Sequence, residues 1–264
     1  MNTDLSGKNA LVFGASKGIG KAIAHALASL GANVTLAARS GSLLAEVSLE
    51  LNKEKIHAGQ DHDWLIIDGN DPADLQRRLL LLSTQKVFHI LINNTGGPPA
   101  GPVLPAEWEE FTQAFHLHLK CSHLAVQTLM ENMKKAGYGR IINILSTSVR
   151  MPIDGLGVSN TTRAAMASWA RTLANEVAPF GITVNNILPG FTATERLDTL
   201  MEIWAAQQGI SKEEQIARSK EMIPMKRFGT PREIADVAAF LASPAASYVT
   251  GTSILVDGGR TKTL

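Results

Sequence analysis

Apolar runs and helically spaced apolar positions alternate along this chain. Ala10-Leu11-Val12-Phe13 is an unbroken apolar run closed by a glycine-rich stretch, and Ile19, Ile23, Ala26, Leu27 and Leu30 then recur at helical spacing. A short apolar run bounded by glycine marks a buried strand and the second pattern an amphipathic helix, so the segment predicts strand, loop, helix. Gly31 is a plausible helix stop, and residues 33–38 predict a second strand. The alternation continues with a helix over 41–56, a strand over 64–68 and a helix opened by Asp71-Pro72, which supply a cap and a first-turn proline. A strand over 88–94, an interrupted or bent helix over 105–135, a strand over 140–145, a helix over 161–178 and a strand over 182–188 follow. Thr230-Pro231-Arg232-Glu233 has the form of a capping box and starts a last helix before a strand at 253–256.

Strand, helix, strand units connect parallel neighbours by right-handed crossovers. With no internal repeat or linker, the pattern predicts a single α/β domain over residues 1–264, a doubly wound parallel sheet with helices on both faces. The length of 264 residues and 45% hydrophobic content are enough for one large core. A formal net charge of +1 without blocks of like charge gives no reason to expect nucleic acid or an anionic membrane as partner, and favours a small molecule. Cys121 is the only cysteine, so there is no internal disulfide and no cysteine metal cluster, as suits a reducing cytoplasm. The first eight residues lack a signal-peptide pattern, and no apolar run is long enough to span a bilayer.

The chemistry enters at the first loop. Gly14, Gly18 and Gly20 let backbone approach a bound group, and the free N–H groups of the following helix attract an anion, here the pyrophosphate of a dinucleotide. At the end of the second strand an acidic residue would bind a ribose 2′-hydroxyl, whereas arginine accepts a 2′-phosphate. Arg39 stands there and Lys17 adds a second cation, which favours NADP(H) over NAD(H).

Taken together these residues resemble the short-chain dehydrogenase/reductase family, in its 3-oxoacyl-ACP-reductase-like branch, across nearly the whole chain. The segment from Gly14 through Ala15, Ser16, Lys17, Gly18 and Ile19 to Gly20 is similar to the family's TGxxxGIG loop. Asn93-Asn94-Thr95-Gly96 resembles its NNAG, and Pro189-Gly190-Phe191-Thr192-Ala193-Thr194 its PGxxxT. Tyr248-Val249-Thr250-Gly251 and Val256-Asp257-Gly258-Gly259 resemble its carboxyl end. The resemblance implies a Rossmann-type fold, with Asp68 and Gly69 beside the adenine, Asn94, Thr95 and Gly96 at the adenosine ribose, and Thr192 and Thr194 toward the nicotinamide. It also implies a homodimer or homotetramer.

The reaction centre departs from that pattern. Relatives use Ser, Tyr and Lys, the last two as YxxxK, with an Asn on the preceding helix. Ser146 stands at the serine position, but the YxxxK interval falls on Ser159-Asn160-Thr161-Thr162-Arg163, and His118 replaces the asparagine. An aliphatic hydroxyl is a far weaker acid than a phenol, and arginine stays protonated, although it can still bind ribose hydroxyls. Tyr138 and Tyr248 lie outside the catalytic segment. His118 is therefore a candidate proton relay, with Arg150 and Asp154 on the loop between Ser146 and Ser159 as further candidates. Residues 191–228 should form a lid shaping an apolar pocket for a bulky or lipophilic ligand. Two readings stay open: an NADP(H)-dependent oxidoreductase acting on a carbonyl or secondary alcohol with a non-standard proton donor, or a sensor that binds NADP(H) without turnover.

Overall fold

The computed structural model describes residues 1–262. Its strands are β1 (Asn9–Phe13), β2 (Asn33–Ala38), β3 (His62–Ile66), β4 (Ile90–Asn93), β5 (Gly139–Ile144), β6 (Ile182–Pro189) and β7 (Ser253–Val256). They form one sheet in the order β3-β2-β1-β4-β5-β6-β7, and every neighbouring pair is parallel. The chain winds outward from β1 to β3 and then returns to β4 on the other side of β1. That reversal opens a crevice beyond the carboxyl ends of β1 and β4, where ligands bind in sheets of this kind.

The helices are α1 (Gly18–Ser29), α2 (Gly41–Lys53), α3 (Pro72–Gln85), α4 (Trp108–Phe115), α5 (Cys121–Ala136), α6 (Gly157–Val177), α7 (Glu195–Gln208), α8 (Lys212–Glu221) and α9 (Pro231–Ala242). Successive strand side chains point to opposite faces, which explains why β1 reads as continuously apolar. Ala10 and Val12 enter a core with Ile23 and Leu27 of α1 and Ile234 and Ala238 of α9. Leu11 and Phe13 enter the opposite core with Leu75 and Leu79 of α3, Leu129 and Met133 of α5, and Ala170 of α6. No helix among the described residues is long and apolar enough to cross a membrane.

Local chemistry sets the element ends. Asp71 caps α3 by accepting from the Asp74 N–H at 3.0 Å, and Pro72 fills its first turn. At α9 the capping box is complete, with Thr230 accepting from the Glu233 N–H and Glu233 accepting from the Thr230 N–H. Several predicted boundaries move, β4 among them, which begins at Ile90 rather than at residue 88. β3 begins two residues earlier because buried His62 pairs in register with Val34, and as an edge strand β3 leaves Trp64 and Ile66 exposed. α6 begins at Gly157, held by the Gly157 N–H on Gly101 O at 3.0 Å, so Ser159 lies inside the helix rather than before it. The bend predicted within 105–135 is a π-helical turn over His116–Lys120 between α4 and α5.

A polar ladder crosses the buried sheet. Asn93 donates to Asn143 at 2.8 Å, Asn143 to Asn186 at 2.9 Å and Asn186 to Ser253 at 3.0 Å, each pair directly in register. Burying amides without partners would cost about 1–3 kcal/mol each, so the ladder rewards one register of β4 through β7. Between β6 and α9 the chain makes a long excursion carrying α7 and α8. Its base is tied by the Ala193 N–H on Gly229 O at 2.8 Å and the Gly229 N–H on Phe191 O at 2.9 Å. Its own cluster joins Phe191, Leu197, Met201 and Ile223.

Candidate active site

A cleft of about 1130 Å³ lies over the reversal point. Its floor is the glycine loop between β1 and α1. Gly14 at φ +62° and Gly18 at φ +58° occupy the left-handed region that glycine adopts without strain. Gly20 is needed for closeness of another kind, since a β-carbon there would stand 2.2 Å from Gly14 O. Asn94 bridges β4 to this loop, donating to Phe13 O at 3.3 Å and Gly14 O at 3.4 Å. Thr194 packs its methyl group on the open side of Gly18, where an added β-carbon would meet it at 3.5 Å. The first N–H groups of α1 have no partner within the helix, and its first turn carries no acidic residue, so this end suits an anion.

At the β2 side of the cleft, Arg39 is exposed and forms no ion pair among the described residues, so its guanidinium is free for a phosphate. Lys17 behaves differently, because its ammonium pairs with Glu195 at the start of α7 and ties the glycine loop to the excursion. Asp68 lines the same end and accepts from both the N–H and the side-chain amide of Asn70 at 3.0 Å. Beside it Gly69 packs against Leu117, whose Cδ2 lies 2.9 Å from where a β-carbon would sit. These residues fit a phosphorylated dinucleotide: a glycine cradle for the pyrophosphate, an uncommitted arginine for the 2′-phosphate and an acidic rim for the adenine.

The far end of the cleft is built by the loops after β4, β5 and β6. Ser146 follows β5 by two residues, accepts from the Ser148 N–H at 3.1 Å and lines the cleft. Ser159, on α6, lines the cleft as well and accepts from Arg163 Nε at 3.1 Å, the i to i+4 pairing on one helix face. Arg163 also donates through Nη1 to Leu145 O at 2.7 Å and Ile144 O at 3.3 Å. Burial first, and the charge of Arg196 second, lower its pKa to about 10, which still leaves it fully cationic near neutrality. Arg196 reaches from α7 across to Pro98 O at 2.6 Å.

Of the residues singled out in the sequence, the cleft wall gathers Gly14, Ser16, Lys17, Gly18, Ile19, Arg39, Asp68, Gly69, Asn94, Thr95, Gly96, Ser146, Ser159, Arg163, Pro189, Gly190, Thr192 and Thr194. Gly20 stands just behind it as a packing contact. Arg150 and Asp154 are exposed and off the wall. His118 is off the wall too, buried in the π-helical turn with Nδ1 2.6 Å from Thr95 Oγ1. Burial, reinforced by the Arg163 charge, lowers its pKa to about 3, so near neutrality the imidazole is neutral and has no ready proton to give. Arg196 and Glu195 are the site residues that sequence reasoning missed. Their only signal was position, directly after the PGxxxT-like segment.

With this geometry in place the comparisons are decisive for class. A family model described as enoyl-(acyl carrier protein) reductase matches residues 14–261, and the chain belongs to the short-chain dehydrogenase/reductase family. It is 34% identical to the NADPH-dependent reductase BacG of Bacillus subtilis over 269 residues, covering 98% of this chain and 100% of that protein. It is 33% identical to the 3-oxoacyl-[acyl-carrier-protein] reductase FabG of Vibrio cholerae over 257 residues, 97% of this chain and 98% of that one. The crystal structure of YwfH, an NADPH-dependent reductase involved in bacilysin biosynthesis, matches with a TM-score of 0.92 at 30% identity, covering 98% and 100% of the two chains. L-sorbose reductase from Gluconobacter frateurii, solved with NADPH and L-sorbose, matches with a TM-score of 0.92 at 30% identity, covering both chains fully.

Proposed function

We propose that this protein is an NADP(H)-dependent oxidoreductase that reduces a carbonyl group, or oxidises the corresponding alcohol, at the junction of Ser146, Ser159 and Arg163. The observation that carries it is the Arg163 to Ser159 hydrogen bond of 3.1 Å facing a cleft whose other end is a dinucleotide cradle. NADPH held by the glycine loop, Arg39 and Asp68 would supply the hydride for the carbonyl carbon, with the carbonyl π pair passing to oxygen and a proton from water completing the alcohol.

The chain's residues then do three things. The glycine loop, Arg39 and Asp68 hold the dinucleotide. Ser146 and Ser159 present two hydroxyls to the oxygen on which negative charge develops. Because Ser159 accepts from a guanidinium, its own O–H is polarised toward donation, and the positive charge behind it stabilises the oxyanion. In place of a phenol that gives up a proton, the site stabilises charge until solvent delivers one. His118 is a positioning residue in this scheme, fixing Thr95 at the wall. Residues 191–228 act as the lid, with Leu197, Leu200 and Trp204 on the cleft side. Homo-oligomeric assembly is the family expectation carried with this reading.

The test is NADPH consumption by the purified protein on a panel of ketones, aldehydes and oxo acids. Turnover is expected, and Ser146→Ala should lower kcat by about 100-fold, the worth of one oxyanion donor, with the NADPH dissociation constant unchanged. Thermal stabilisation by NADPH with no consumption on any member of the panel would overturn the reading in favour of a cofactor-binding sensor.

A further inference from the structure

The reaction end of the cleft holds more positive charge than the dinucleotide uses. Arg163 enters from α6 and Arg196 from the first turn of α7, and they converge over Gly97. A β-carbon placed on Gly97 would lie 3.4 Å from Arg163 Nη2 and 3.5 Å from Arg196 Nη2. The hydrogen bonds they make go to neutral oxygens: Ser159 Oγ and the carbonyls of Ile144 and Leu145 for Arg163, and the carbonyl of Pro98 for Arg196. Among the described residues neither has a carboxylate partner, whereas the neighbouring Lys17 is neutralised by Glu195. Two guanidiniums held this close repel each other, and each is partly stripped of water. An arrangement of that kind is stabilised by an anion received between them.

The dinucleotide does not supply that anion. Its pyrophosphate belongs at the glycine loop and α1, its 2′-phosphate at Arg39, and the reduced nicotinamide is neutral. The cleft wall also carries apolar Ile153, Leu156, Leu200 and Trp204. Resting on the reductase reading above, we propose that Arg163 and Arg196 clamp a carboxylate of the substrate, which is an oxo acid with an apolar body. A carboxylate fits the planar fork of a guanidinium, and anchoring it there sets the adjacent carbonyl beside Ser146. The same two charges favour the alkoxide that forms on hydride transfer.

The test is calorimetric binding to protein preloaded with NADP⁺, which permits binding without reduction. The probes are 4-methyl-2-oxopentanoate, its methyl ester and inorganic phosphate. The acid should bind about 10-fold or more tighter than the ester, the range expected of a charge-assisted pair, and phosphate should bind weakly. Arg196→Gln should erase the advantage of the acid while leaving NADP⁺ affinity unchanged, and Arg196→Lys should restore part of it. Equal affinity for acid and ester, or a preference for phosphate, with NADP⁺ binding intact, overturns the carboxylate clamp alone. An Arg196→Gln variant that weakens NADP⁺ as much as the acid reassigns Arg196 to the cofactor and overturns it too. No NADP⁺ binding by the unaltered protein overturns the reductase reading and the clamp with it.

Discussion

The two ends of the cleft hold their shape in different ways. At the end formed by β1, β2 and β4, backbone dominates: Gly14, Gly18 and Gly20 are fixed by left-handed φ values and by close contacts with main chain, and Asn94 braces them. At the end formed by β5, α6 and the excursion, side chains dominate: Arg163 donates to Ser159 and to Leu145 O, Arg196 donates to Pro98 O, and Ser146 accepts from the Ser148 N–H. This cradle tolerates few substitutions, because an added β-carbon meets main chain at Gly14 and Gly20 and a positive φ at Gly18. A side-chain centre can be rebuilt one residue at a time. The difference leaves the glycine cradle fixed in form while the residues at the other end of the cleft are open to replacement.

The sharpest way to break that contrast is at the cradle. Gly20→Ala puts a methyl group 2.2 Å from Gly14 O. NADPH affinity measured by calorimetry should fall by at least about 100-fold, or ~2.7 kcal/mol, and an unchanged affinity would show that the loop does not anchor the dinucleotide. A smaller effect is expected at Arg39, which forms no ion pair among the described residues. Arg39→Ala should weaken NADPH by about 10- to 100-fold, a charge-assisted hydrogen bond or two, and leave NADH nearly untouched. Equal losses for both cofactors would remove the 2′-phosphate from Arg39.

The smallest effect sits behind the wall. The folded protein keeps His118 neutral down to about pH 3, whereas the unfolded chain takes up a proton near the usual value of 6.5. Between those limits the unfolded state binds more protons, so stability rises with pH and is lost on acidification. From pH 7 to pH 5 the loss from this residue is on the order of 2 kcal/mol. Burial lowers the pKa values of His62 and His89 too, so they add slope of the same sign. Urea denaturation at the two pH values should show the slope, and His118→Asn should flatten part of it. An unaltered slope would mean that His118 takes up its proton as readily in the folded protein as in the unfolded chain.

Much of this was legible in the sequence because strand, loop and helix adjacency places residues with little freedom. The glycines before α1, the Arg39 position after β2 and Ser146 after β5 all reach the cleft for that reason. What was not legible depends on contacts between distant loops. Lys17 reads as a second cation for a phosphate, yet it meets Glu195 across 178 residues of chain. His118 reads as a helix-face histidine available for proton transfer. The extra residue of the π-helical turn instead seats it behind Thr95, beyond the reach of a periodicity that assumes a regular helix. β3 shifts because an edge strand shows apolar side chains to solvent, which blurs the distinction on which apolar runs are read.

The tie between Phe191, Ala193 and Gly229 has a consequence for how such a scaffold changes over time. Because the excursion leaves and rejoins the sheet at one point and carries its own apolar cluster, it is in effect a cassette. Its length and sequence can be exchanged at little entropic cost to the strands beneath it. Substrate choice could then diversify by replacing the insert, while the machinery that grips the coenzyme is inherited intact.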